Sequence, residues 1–249
     1  MNAPFPYIGK VKTAGRKLMN QLMFVKESGA PARSLDRRLQ KARAAWFREM
    51  EHFKDSEGCI LLPDDAPMLT DDALKNCQML PYREAILERM KKDGIAAEVG
   101  VQAGYFSENI IRICQPKRLH LLDLYLQKYR IAEKFKDQVA ANTVQLHEGD
   151  SATQLQGFDD GYFDFIYIDA DHSYKGVKRD IAAAKHKVKE DGFLIFNDYT
   201  YWSPVECINY GVIRAVNELC LEENWEIVYY ALAGYMYCDV ALRRRKPDY

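Results

Sequence analysis

With 249 residues, 48% of them hydrophobic and 29% charged, the chain can bury a full α/β core and still carry an extension. A formal net charge of −1 gives no global field for nucleic acid, and no apolar run is long enough to span a bilayer. Six scattered cysteines without C-x-x-C or zinc spacing, and a start without a secretory core, make reduced thiols and a cytoplasmic location the expectation.

Charge is unevenly spread along the chain. Met1–Glu57 holds twelve Lys or Arg against six Asp or Glu, so this arm carries about +6 and the remainder about −7. Within it Ser34 is placed to cap a helix whose apolar residues Leu35, Leu39, Ala42, Trp46, Met50 and Phe53 recur at helical spacing. Such a stripe needs a partner: the main domain, a second subunit in a homo-oligomer, or a substrate lid. A loop from Leu62 to Pro67 follows, then short helical segments to about Lys92, ended by Gly94.

From Ile95 onward strands and helices alternate. The pattern predicts strand Ile95–Val99, helix Ser107–Cys114, strand Leu119–Leu122, helix Leu126–Ala140 and strand Thr143–Leu146. Strand Phe163–Ile168 is nearly all apolar, as a strand buried on both faces should be. Helix Ser173–Val188, broken by Gly192, leads to strand Phe193–Phe196, and Ile208, Val212, Val216 and Leu219 mark a further helix. Strands Trp225–Ala231 and Tyr235–Leu242 close the chain, joined by a turn too short for a crossover. This predicts a Rossmann-like, doubly wound, mostly parallel seven-stranded sheet with an antiparallel last strand, in a domain of residues 80–249 behind a helical extension of residues 1–79.

In such a sheet ligands bind beyond the carboxyl ends of the strands. The first end, Glu98-Val99-Gly100-Val101-Gln102-Ala103-Gly104, has two glycines for a tight turn, but Gln102 replaces the middle glycine that a pyrophosphate requires. Asp123 follows the second strand, about twenty residues on, where a carboxylate can take both hydroxyls of a ribose, and Tyr125 is placed to cover an adenine face. After the third strand, Asp150 and Ser151 are candidates for the base, with a helix cap as the plain alternative for Asp150. The fourth and fifth ends, Ile168-Asp169-Ala170-Asp171-His172 and Phe196-Asn197-Asp198, bring Asp169, Asn197 and Asp198 to one rim. Three oxygen donors there can hold a hard divalent cation such as Mg2+, and His172 can take a proton from a hydroxyl near neutral pH. His120, His147 and His186 read as structural.

At these residues the sequence resembles class I S-adenosylmethionine (SAM)-dependent methyltransferases, and within them the branch of macrolide-sugar O-methyltransferases and cephalosporin-hydroxylase-like proteins. The resemblance runs from about Leu80 to Leu242 and is most specific in Ile168-Asp169-Ala170-Asp171-His172-Ser173-Tyr174, continuing through Gly176 and Asp180. It implies that Glu98, Gly100 and Gly104 line the methionine part of SAM, that Asp123 binds the ribose, and that Asp150 and Ser151 form the adenine turn. Asp169 matches the first metal ligand of the metal-dependent members and His172 the base, where catechol-type enzymes carry a lysine. Asn197-Asp198 departs from the Glu-Asp of the sugar enzymes and the Asp-Asn of the catechol type, removing one negative charge from the first of these sets.

The expected function is methyl transfer from SAM to a hydroxyl of a small acceptor, a sugar or sugar-bearing metabolite, with His172 and Asp169 as catalytic residues. Tyr199, Tyr201 and Trp202 are expected to wall the acceptor. The rivals are an NAD(P)-dependent oxidoreductase, which Gln102 disfavours, and a non-catalytic module keeping the same fold. No nucleic-acid partner and no membrane span are expected.

Overall fold

The computed structural model describes residues 32–57, 66–206 and 208–246. They fall into two compact units, residues 32–57 with 201–206 and 208–209, and residues 66–200 with 210–246. In the smaller unit, α1 (Ala32–Glu57) runs for 26 residues, with Ser34 inside it rather than at its cap. Two short strands, β7 (Trp202–Ser203) and β8 (Ile208–Asn209), pair antiparallel, and Trp46 of α1 meets Trp202 edge to face at 6.1 Å. Leu39 of the predicted stripe is exposed, as is Phe47 outside it, while the side chains of Leu35, Met50 and Phe53 lie outside the described residues.

The larger unit is an eight-stranded sheet in the order β1-β9-β10-β6-β5-β2-β3-β4. Its strands are β1 (Gln78–Leu80), β2 (Ile95–Val99), β3 (Arg118–Asp123), β4 (Val144–Glu148), β5 (Phe163–Ile168), β6 (Val188–Phe196), β9 (Trp225–Leu232) and β10 (Cys238–Arg244). From β2 the chain winds outward through β3 and β4, then returns to β5 and β6 on the other side, which puts the switch in strand order between β2 and β5. β10 runs antiparallel to both β6 and β9, as its short connection dictates.

The sheet has one strand more than the sequence predicts. β1 pairs parallel with β9 at the edge, in a stretch whose three residues show no alternation long enough to read as a strand. The stretch predicted as one helix over Leu126–Ala140 is instead two short helices, α5 (Ile131–Lys134) and α6 (Lys136–Ala140), which meet at the non-helical Phe135. Ile208, where a helix was expected to begin, belongs to strand β8, so the following helix, α9, is Val212–Glu222. Tyr235 and Met236 adopt positive φ in a turn, and the last strand begins only at Cys238.

Every residue of β5 is buried, in accord with its apolar sequence. Its one charged residue, Asp164, accepts the Ile95 amide and pairs with Lys91 and Lys189 near the amino end of the sheet, away from the ligand rim. Helix starts follow the side chains available. Asp150 caps α7 (Ser151–Gln156) by accepting from the Thr153 amide, and Ser173 caps α8 (Tyr174–Ala184) by accepting from the Gly176 amide. The described cysteines, Cys77, Cys114, Cys220 and Cys238, are free, with Cys114 and Cys220 buried as small hydrophobes; Cys59 and Cys207 lie outside the described residues. Among the described residues no helix is long and apolar enough to cross a membrane.

Candidate active site

A cleft of about 340 Å³ opens at the carboxyl ends of β2, β3, β4 and β5, lined by Gly100, Gln102, Asp123, Tyr125, Asp150 and Asp169 among others. Its volume is within the range of small-molecule sites. Gly100 makes the wall thin: its φ is +87°, and a Cβ there would lie 2.0 Å from the Asp169 carbonyl oxygen. Asp123 holds the loop in shape, one carboxylate oxygen accepting the amides of Val101 (2.8 Å) and Gln102 (2.9 Å), the other that of Tyr125 (2.8 Å). Tyr125 is half exposed on the rim.

Two predicted contacts lie behind the wall rather than on it. Glu98 is fully buried and accepts from the Ser107 hydroxyl; burial raises its pKa to about 8, so the carboxyl is mostly protonated at neutral pH. Gly104 (φ +71°) caps α4 (Tyr105–Cys114) and packs against Phe135 and Ile131. At the far end Asp150 lines the cleft while capping α7, and its second oxygen pairs with Arg179 at 3.0 Å. Ser151 is buried and donates to Asp180 at 2.7 Å. Against Arg179 the cleft sets the carboxylates of Asp123, Asp150, Asp169 and Asp171. That donor set suits the hydroxyls of a ribose and a cationic sulfonium, and repels a pyrophosphate.

Asp169 links this cleft to a second cluster. His172 Nε2 stands 3.3 Å from Asn197 Oδ1, 3.5 Å from Asp169 Oδ1 and 3.8 Å from Asp198 Oδ2. The four predicted residues are therefore brought together. Tyr210 stacks on the His172 ring at 4.5 Å and 12°, and the His172 carbonyl accepts the Gly211 amide, which fixes the ring's plane and position.

Beneath His172 lies a buried network that sequence reasoning missed. Asp239, wholly buried on β10, accepts from Tyr167 Oη (2.7 Å) and Asn197 Nδ2 (3.2 Å) and pairs with Arg83 Nε (3.3 Å). Tyr167 Oη in turn accepts from Asn197 Nδ2 (3.2 Å) and from Arg83. The Arg83 guanidinium lies over the Phe106 ring at 4.2 Å and 4.0 Å from Asp169. Burial pushes the Asp169 and Asp239 carboxyls upward, and Arg83 is the main group opposing that shift in both.

The expected divalent cation does not fit this arrangement. Magnesium needs oxygens at about 2.0–2.1 Å in octahedral array, whereas the oxygens of Asp169, Asn197 and Asp198 all converge on His172 Nε2. Arg83 already supplies positive charge beside Asp169. Among the described residues no group of three or more His, Cys, Asp or Glu side chains is arranged to hold a metal ion. Of the predicted acceptor walls, the Tyr199 hydroxyl donates to Asn217 at 2.6 Å, and Tyr201 and Trp202 belong to the smaller unit.

Comparison with known proteins agrees with this geometry. Residues 97–199, less than half of the chain, match the family model described as a methyltransferase domain. Three solved structures are similar to parts of the chain. Cofactor-bound Rv0187 from MTB superposes with a TM-score of 0.52 at 13% identity, over 75% of this chain and 84% of that one. An O-methyltransferase family protein from Burkholderia thailandensis gives 0.51 at 12% identity, over 66% and 56%. The pyocyanin biosynthetic protein PhzM gives 0.49 at 13% identity, over 62% and 51%. The chain thus spans about half the length of the last two. A search of curated protein sequences gives no match. Residues 97–199 are thus similar to a methyltransferase domain, and the larger unit shares the fold of the two structures that superpose above 0.5.

Proposed function

We propose that the protein transfers the methyl group of SAM to a hydroxyl oxygen of a small acceptor, a sugar or a sugar-bearing metabolite, with His172 as general base. The observation that carries this reading is Asp169, which lines the cofactor cleft and also lies 3.5 Å from His172 Nε2, so that the proposed base stands beside the cleft. Bound SAM supplies an electrophilic methyl on a sulfonium. The chain's own residues do the rest: Asp123 and the Gly100 loop hold the nucleoside, and the Asp169 side positions the sulfonium. His172 accepts the proton as the hydroxyl oxygen bonds to the methyl carbon and the carbon–sulfur pair returns to sulfur.

Most of the rate in such a transfer comes from alignment, and a base typically contributes about 100- to 10,000-fold. A divalent cation forms no part of this reading, because its three expected ligands are turned on the imidazole. His172→Ala should lower turnover by that base factor while SAM affinity by calorimetry stays within about twofold. Turnover that survives the substitution at neutral pH removes the base assignment, and loss of SAM binding makes His172 structural. Chelation by EDTA should leave the wild-type rate unchanged; a rate lost on chelation and restored by Mg2+ would bring the cation back.

A further inference from the structure

Gln102 lines the cleft on the loop after β2, exposed to solvent, with a φ of +49°. Glycine enters that backbone region freely, and a glutamine enters it only at a cost. A turn alone would be better served by glycine, so the side chain itself calls for a reason. The backbone amide of Gln102 goes to Asp123 Oδ2 at 2.9 Å, and among the described residues nothing takes its carboxamide.

SAM, which the proposed reading places in this cleft, carries one anionic group, the carboxylate of its amino-acid portion. The lining is set with the carboxylates of Asp123, Asp150, Asp169 and Asp171, so that group needs a hydrogen-bond donor to hold it. Strand order says where. Along the rim β5, β2, β3 and β4 follow one another. With the sulfonium on the Asp169 side after β5 and the nucleoside beside Asp123 after β3, the amino-acid portion extends away from the nucleoside, to the ends of β5 and β2. The loop there has committed most of its amides. Gly100 donates to the Leu122 carbonyl (2.9 Å), Val101 and Gln102 to Asp123, and Gly104 to the Val101 carbonyl (2.8 Å). The other side-chain donors of the lining belong to the nucleoside end. Arg179 is paired with Asp150 at 3.0 Å, Ser151 gives its hydrogen to Asp180, and Tyr125 and Tyr129 follow β3. The Gln102 carboxamide is the side-chain donor that follows β2.

We infer that Gln102 binds the carboxylate of the amino-acid portion of SAM, its carboxamide donating a hydrogen bond to that group at the β2 end of the cleft. Gln102 is thereby a specificity residue, selecting the amino-acid-bearing nucleoside over one that ends in a bare amine. The residue that departs from the middle glycine of a pyrophosphate loop is the one that reads the ligand's anion. The inference rests on the reading of the cleft as the SAM site, and its test needs no knowledge of the methyl acceptor.

The experiment is calorimetry on full-length protein with two ligands, S-adenosylhomocysteine and decarboxylated S-adenosylhomocysteine, which keeps the amine and lacks the carboxylate. Wild type should bind the first more tightly. Gln102→Met, close in shape and without a donor, should weaken S-adenosylhomocysteine about tenfold and leave the decarboxylated ligand within about twofold. Gln102→Glu should weaken S-adenosylhomocysteine further, because it sets a like charge against the carboxylate. Gln102→Gly suits the positive φ and so keeps the fold, and it should show the same selective loss as Gln102→Met. Equal losses for the two ligands, or undiminished S-adenosylhomocysteine affinity in the glycine variant, overturn the inference and leave the cleft reading standing. So does a wild type that binds both ligands alike. A wild type that binds neither overturns the cleft reading and the inference together.

Discussion

Asp123 closes its loop in the structure and is proposed to bind a ribose, and the two tasks can be separated. Its carboxylate closes the loop on the Val101 and Gln102 amides, and it faces the cleft where a ribose would lie. Asp123→Ala should lose charge-assisted hydrogen bonds worth on the order of 3 kcal/mol, about a hundredfold in SAM affinity. Unchanged affinity by calorimetry would reject the ribose role, while a lowered melting temperature alone would leave only the loop role. Asp123, Asp150, Asp169, His172 and Asn197-Asp198 are legible in the sequence because each follows an apolar strand, and strand ends share one rim. Arg83, Tyr167 and Asp239 are not, for physical reasons. Tyr167 sits inside an apolar run and reads as core, Asp239 is one of three charged residues in the last strand, and Arg83 precedes a helix of four residues. Only the antiparallel insertion of β10 beside β6 brings Asp239 under Asn197. The signal available was a carboxylate directly before the apolar run Val240-Ala241-Leu242 of the final strand.

At the scale of elements, β3 and β4 carry a pH-sensitive pair outside the cleft lining. His120 is buried, its Nδ1 2.9 Å from His147 Nε2, among the rings of Phe158, Tyr162 and Phe163. Burial, and then the neighbouring His147, lower its pKa from 6.5 to about 3. The folded state therefore keeps this ring neutral while the unfolded chain protonates it. The associated stability is whole above about pH 6.5 and is lost as pH falls toward about 3, a few kcal/mol in all. Denaturation midpoints measured down to mildly acid pH should fall with pH in wild type. They should fall less steeply in His120→Phe, which fills the same aromatic setting without a titrating nitrogen. Equal slopes would place the acid sensitivity elsewhere. Strand and helix types in this half were readable from periodicity. The break at Phe135 and the three-residue β1 were not, because both depend on packing against neighbours remote in sequence.

At the scale of the molecule, the larger unit has the cofactor fold and the smaller one carries the basic arm. Leu39 and Phe47 remain exposed on α1, and such residues motivate the proposal that the arm mediates self-association. Removing residues 1–57 should then lower the oligomeric state by light scattering. If oligomeric state, melting temperature and activity are all kept, the arm serves another purpose. The central claim concerns the atom that receives the methyl group, and one measurement addresses it directly. The full-length protein is incubated with 13C-methyl SAM and a panel of hydroxylated sugars and sugar conjugates, and the carbon resonance of the product methyl is recorded. An O-methyl ether resonance, formed in step with S-adenosylhomocysteine, is the expected result. A product methyl in the N-methyl or C-methyl region would contradict it.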